Sequence, residues 1–173
     1  ESEGIDVEAE ALHLIAQKSD GAIRDSLSLF DRLVNFSDNF LTYRIVLDHL
    51  NILDSDYYFK ITYGLLENDI NILLNIFNEI LDNGFDGHHF INGLADHLRD
   101  LLISKEASTI KLLEKSEALQ SKYLEQSKLC DVVFLVQALK LCNECDVQYR
   151  NASNKRLLVE LCLMRISSIG HQK

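Results

Sequence analysis

The 173-residue chain contains no proline and only seven glycines. Proline is excluded from helix interiors and glycine weakens them, so their scarcity points to an all-α chain. Long apolar runs are also missing: no stretch approaches the roughly 18 residues of a membrane-spanning helix. The acidic amino-terminal segment has no apolar core of the kind a signal peptide carries. The chain starts on Glu1 and not on methionine, which is expected of a fragment or a processed form. Basic charge is scarce as well. Seventeen Lys and Arg stand against twenty-seven Asp and Glu, a formal net charge of −10. Nucleic-acid-binding domains take much of their affinity from neutralised phosphates, so little direct DNA binding is expected of this chain.

What is present is apolar residues at helical spacing, in a composition that is 47% hydrophobic. Residues 6–18 read as a helix with Asp6 as its N-cap and Ala9, Leu12, Ile15 and Ala16 as its apolar stripe. Asp20-Gly21 breaks the pattern. A second helix from about Ala22 to Val34 carries Ile23, Leu27, Phe30 and Val34 on one face. Asn35 to Asn39 reads as a loop, and Thr42 can cap a short third helix through Leu50. A boundary falls near residues 51–56, where Asp54 or Ser55 can start the next helix. Helices follow around Tyr58 to Leu66, Ile70 to Leu81 and His88 to about Glu106, divided by Asn68-Asp69 and by Asn83-Gly84-Phe85-Asp86-Gly87. Residues 108–125 look helical but more polar. Residues 128–149 look like one apolar helix, and a last helix runs from about Lys155 to Ile169. The expectation is three short helices followed by a bundle of five or six, without a period-two segment.

Several residue groups invite a chemical reading. Cys142-x-x-Cys145 has the spacing of a metal or redox pair, but it lies mid-helix, and Cys130 and Cys162 are single. Buried reduced thiols are expected, with no metal site. His88, His89 and His97 share one helix with Asp96 and Asp100. His89 and His97 are two turns apart, too far for one ion, and for Asp86, Asp96 and Asp100 a solvated helix face near a cap is expected rather than a hydrolytic cluster. Tyr57, Tyr58, Phe59 and Tyr63 cluster at the proposed boundary, as a hinge core or as an interface anchor.

The most informative segment is Ser19-Asp20-Gly21-Ala22-Ile23-Arg24-Asp25-Ser26-Leu27-Ser28-Leu29-Phe30-Asp31. It puts Arg24 in the first turn of a helix, where the positive end of the helix dipole disfavours a cation. Two readings offset that cost. Arg24 can pair with Asp20 or Ser28 four residues away, or it can meet an anionic ligand such as a nucleotide phosphate.

This segment, with Ala11-Leu12 and Leu14-Ile15-Ala16 before it, resembles the sensor-2 region of the gamma/tau subunit family of bacterial DNA polymerase III. That subunit is the AAA+ ATPase of the sliding-clamp loader. The family's Gly-(Ser/Ala)-Leu-Arg-Asp-Ala-Leu-Ser pattern is followed by Asp-Gln. This chain has Ile23 for Leu, Ser26 for Ala and Arg32 for Gln. Asn154-Lys155-Arg156-Leu157-Leu158-Val159-Glu160-Leu161-Cys162-Leu163-Met164-Arg165 is similar to the family's closing collar helix.

The resemblance implies a helical AAA+ lid over residues 1–53, without its first helix, and an oligomerisation collar over residues 54–173. It implies that Arg24 reaches the γ-phosphate of ATP held by an ATPase domain. No Gly-x4-Gly-Lys-(Ser/Thr) occurs in this sequence, so the chain alone is not expected to hydrolyse ATP or to hold a cofactor. The implied partners are other clamp-loader subunits, with the sliding clamp and primed DNA as partners of the parent protein, in the cytoplasm. The basic stretch of residues 148–173 (Arg150, Lys155, Arg156, Arg165 and Lys173 against Glu160) is expected to pair with acidic surface on a neighbouring subunit. Two rival readings are a helical protein-protein adaptor without a nucleotide role and the equivalent region of another AAA+ ATPase.

Overall fold

The chain divides into two compact units, residues 1–52 with 114–119, and residues 53–113 with 120–173. The computed structural model describes residues 6–19, 22–35, 37, 40–106 and 108–171. Asp20 and Gly21 lie outside the described residues.

The first unit is built from β1 (Asp6–Val7), α1 (Ala9–Lys18), α2 (Ile23–Val34), β2 (Phe40–Leu41) and α3 (Tyr43–Leu50). Asp6 is not a cap. It pairs with Phe40, and Val7 with Leu41, in a two-residue parallel ladder. Helix α1 starts after Glu8, whose side chain does not cap it. That carboxylate accepts instead from the Tyr43 N–H at 2.7 Å, while the Glu8 N–H donates to Leu41 O. The competing partner at the start of α3 takes the acid that would otherwise turn back on its own helix. Thr42 does cap α3, accepting from Ile45 N. Asn51, at φ 51°, closes it with an Ile52 N–H···O Leu47 bond. The core is Ala11, Leu14 and Ile15 of α1, Leu29 and Leu33 of α2, Leu41, and Val46 and Leu47 of α3. His13 Nε2 bonds the carbonyl of Glu114 at 2.8 Å, which fixes part of the 114–119 segment within this unit.

The second unit is a bundle of α4 (Ser55–Glu67), α5 (Ile70–Asp82), α6 (Gly87–Ile103), α7 (Glu117–Leu129, whose first turn belongs to the other unit), α8 (Val132–Tyr149) and α9 (Lys155–Ser167). A local signal starts five of these helices. Asp54, Asp69, Asp86, Asp131 and Asn154 each accept from a backbone N–H of the first turn. Each such cap is worth about 1 kcal/mol. Asn68, at φ 54°, ends α4 one residue before Asp69 opens α5. Gly84, at φ 88°, lets the chain turn after α5 so that Phe85 N reaches Ile80 O. The core centres on α6, which packs most extensively against α8, with Phe77, Phe90, Leu94, Leu98, Leu135 and Leu163 fully enclosed.

Two stretches differ from the sequence expectation. Residues 108–116 hold a single 3-10 turn, Ile110–Leu112, and the α-helix begins only at Glu117. Thr109 accounts for this, because its hydroxyl donates back to the carbonyls of Ile103 and Glu106 and draws the chain into a turn. The apolar run 128–149 is two helices, not one. Leu129 ends α7 and Asp131 caps α8, leaving Cys130 outside both. The Lys105 ammonium donates to Cys130 O and satisfies a carbonyl freed by the break.

Candidate functional site

Arg24 is the second residue of α2, exposed, and followed by Asp25 in the same turn. Ala22 precedes the helix and supplies no side-chain cap. Among the described residues no ion pair engages the Arg24 guanidinium. Ser28 does not neutralise it either. The Ser28 hydroxyl donates to the Arg24 backbone carbonyl at 2.9 Å, an ordinary back-bond within the helix. The Asp20 pairing lies outside the described residues.

The apolar face expected for α2 is only partly the buried one. Leu29 and Leu33 carry the packing at 8% and 0% exposure, whereas Ile23 and Leu27 stand 78% and 57% exposed. Phe30 is half-buried against the core. Helix α2 therefore has two apolar stripes, and the first unit covers only one. Ile23, Leu27 and Arg24 share the outward side, one turn of apolar surface beside a cation. This arrangement can hold a surface that offers an apolar contact and an anion together. The spacing places Ile23 and Leu27 on one apolar face with Phe30 and Val34, and that face is not the one the core covers. The signal that separates them is the second stripe, Leu29 and Leu33, in the same helix.

The histidine and aspartate group does not form one site. His88 Nε2 meets Asp146 Oδ1 at 2.7 Å and the ring stacks on Tyr149 at 5.0 Å. His89 is exposed and Asp86 is the α6 cap. His97 and Asp100 are not on a solvated face: they are 2% and 7% exposed. His97 Nδ1 contacts Tyr123 Oη at 2.9 Å and Nε2 contacts Gln126 Oε1 at 3.0 Å, while Gln126 donates to Phe59 O. Because an amide oxygen only accepts, Nε2 carries the proton and the tyrosine hydroxyl donates to Nδ1. The network joins α4, α6 and α7, and Phe59 and Tyr58 flank the ring at 4.7 and 6.0 Å. These two aromatics are therefore core of the second unit. Tyr57 donates to Glu79, and Tyr63 is exposed. Burial, with Asp96 nearby, raises the Tyr58 phenol above its ordinary range.

All four thiols are free and buried. Cys162 is not isolated: its thiol reaches Leu141 O of α8 at 3.5 Å and interacts electrostatically with those of Cys142 and Cys145. Among the described residues no group of three His, Cys, Asp or Glu side chains is arranged to hold a metal ion. The basic carboxyl-terminal stretch is partly neutralised within its own unit. Arg156 pairs with Glu160 at 2.8 Å and reaches Asn78, Arg165 pairs with Glu144 at 3.2 Å, and Lys155 sits over the Tyr149 ring. Glu160 is visible four residues on from Arg156 in the same helix, whereas Asn78 and Glu144 are distant in the linear sequence. Among the described residues no helix is long and apolar enough to cross a membrane.

Residues 1–39 match the family of DNA polymerase III clamp loader subunit ATPase lid domains. The DNA polymerase III subunit tau of Bacillus subtilis is 24% identical over 172 residues, covering 99% of this chain and 31% of that protein. The DNA polymerase III subunit gamma of Buchnera aphidicola is 27% identical over 173 residues, covering 97% of this chain and 46% of that protein. The chain thus spans less than half the length of these two relatives. In fold it is similar to the clamp loader delta protein of Bacillus subtilis. The TM-score is 0.59 at 16% identity, over 96% of this chain and 52% of the other.

Proposed function

We propose that this chain is the lid and collar of a DNA polymerase III gamma/tau-type clamp-loader subunit. Residues 1–53 act as a partial AAA+ lid that senses ATP through Arg24, and residues 54–173 act as the collar that gathers subunits into a ring. The ring loads the sliding clamp onto primed DNA in the cytoplasm. The observation that carries this reading is the outward face of α2. Arg24 stands exposed beside Ile23 and Leu27, within the segment that matches the clamp-loader lid family.

A guanidinium is permanently charged and can bind two phosphate oxygens at once, which suits it to the γ-phosphate of ATP. The helix start adds its own partial positive charge to the same place. An adenosine diphosphate lacks that group, so the contact is made in one nucleotide state and lost in the other. Arg24 thereby links the nucleotide state to the position of the lid. The phosphate-cradling loop belongs to an ATPase domain of the parent protein, and this chain alone does not turn ATP over.

The test is clamp loading by the full-length subunit carrying Arg24→Ala or Arg24→Lys. A lost hydrogen bond to a charged group is worth about 1.5–3 kcal/mol, so ATP-dependent loading should fall by roughly 10- to 100-fold with alanine. Lysine should recover only part, since it keeps the charge but not the fork. Loading at the original rate by both variants refutes the sensor role. The collar role is tested separately, by native mass spectrometry of this chain mixed with the other loader subunits.

A further inference from the structure

We propose that the seam between α8 and α9 is an oxidisable three-thiol site, in which Cys162 is the shared partner and closes a disulfide with Cys142 or Cys145. Cys142 and Cys145 lie one turn apart on α8, and Cys162 comes from α9. Their exposures are 0%, 3% and 4%, so all three lie inside the bundle. The side chains cross the seam in both directions. Cys162 Sγ donates to Leu141 O of α8 at 3.5 Å, and Cys145 Sγ lies 4.0 Å from Leu158 O of α9. The Cys162 thiol also interacts electrostatically with those of Cys145 and Cys142. A thiol that reaches the opposite helix backbone beside two other thiols is placed to pair with either of them.

The chemistry balances with a diazene oxidant such as diamide. Two thiols give up two protons and two electrons to form the S–S bond, and the diazene takes both to become a hydrazine. The third thiol stays against the new disulfide. It can attack Cys162 as a thiolate and expel the first partner, so the bond alternates between Cys142 and Cys145. The neighbouring thiols, together with burial, hold the protons on: Cys145 is raised and Cys162 is pushed up to about 12. The site is therefore quiet at neutral pH and reacts faster as pH rises, about tenfold per unit while the thiols remain mostly protonated. Once formed, the bond ties α8 to α9 across their turn and closes a loop of roughly 20 residues. Such a constraint should raise the melting temperature of the bundle by about 5–10 °C.

The experiment treats the folded chain with diamide at neutral and alkaline pH, quenches with acid, alkylates in denaturant and maps the peptides. The expected result is one intramolecular disulfide per chain that contains Cys162, a rate that climbs with pH, and a higher melting temperature. Cys130, buried but away from the seam, stays alkylatable and serves as the internal control. Cys162→Ala should abolish the bond. Cys142→Ala and Cys145→Ala should each leave it intact through the other partner, which keeps the test open if one variant folds poorly. Three thiols that stay reduced overturn the proposal. So does a disulfide that forms as readily with Cys130, or one that persists in Cys162→Ala.

Discussion

Replacing Gly93 with alanine should destabilise the second unit, although the same change in an open helix stabilises. Gly93 lies inside α6, where Gly→Ala is worth about 1 kcal/mol of helix propensity. A Cβ built there falls 1.9 Å from Tyr58 Oη and 2.4 Å from its Cζ. Carbon atoms pack at about 3.5–4.0 Å, so the ring has to retreat by more than an ångström. It has little room to do so. Tyr58 is 8% exposed and is flanked by Phe90 and His97, each with its ring centroid at 6.0 Å. Overpacking of this kind costs about 1–3 kcal/mol, and a contact this short belongs at the upper end. The net expectation is a loss of about 1–2 kcal/mol. Urea unfolding followed by far-UV circular dichroism, with hydrogen exchange across α4 and α6 to localise the loss, measures it. Tyr58→Leu removes both clashing atoms, so adding Gly93→Ala to that background should cost less than it does alone. A coupling of at least about 1 kcal/mol in the double-mutant cycle is expected. A stabilising Gly93→Ala, or strict additivity with Tyr58→Leu, refutes the close packing of phenol on backbone.

Three further outcomes follow from the same structure. Ile23→Ser with Leu27→Ser should change the stability of the first unit by no more than about 0.5 kcal/mol each, while Leu33→Ala should cost about 2–5 kcal/mol. Thermal melts of the two variants check whether the outward stripe of α2 is outside the core. Gln126→Ala leaves the His97 Nε2–H without its acceptor and removes the donor to Phe59 O, so it should cost about 1–3 kcal/mol in urea titrations. Stability should also fall at alkaline pH. Burial pushes the Cys130 thiol from its ordinary 9 up to about 11, and the Cys142 thiol together with burial pushes Cys162 to about 12, so the folded chain holds these protons where the unfolded chain releases them. The contribution is complete below pH 9 and is lost as pH climbs through the folded values. Cys162→Ala should flatten that decline in denaturant midpoints measured against pH.

Several local signals were readable in the linear chain, where a residue acts on its own neighbours. Thr42 and Asp54 cap within three residues, and Asn68-Asp69 ends one helix and opens the next. Arg24 was readable through the pattern around it. The break at Cys130-Asp131 was not, although Asp131 caps within two residues, because a single acid between Leu129-Cys130 and Val132-Val133 leaves the helical spacing of the apolar residues uninterrupted. The exposure of Ile23 and Leu27 was not readable, because the period of a stripe tells that a helix is amphipathic, not which of two stripes meets the core.

The sequence by itself determined an all-α chain, most of its helix starts and the arginine at the head of α2, since propensity, caps and dipoles act over a few residues. Tertiary structure alone decided which faces those helices bury. It turned His97 into a core hydrogen-bonding group, paired Arg165 with Glu144 across two helices, and left one stripe of α2 facing outward beside Arg24. It also brought Cys162 to Cys142 and Cys145 across two helices. Those outcomes depend on which distant segment packs opposite, and no single helix carries that information in its own periodicity.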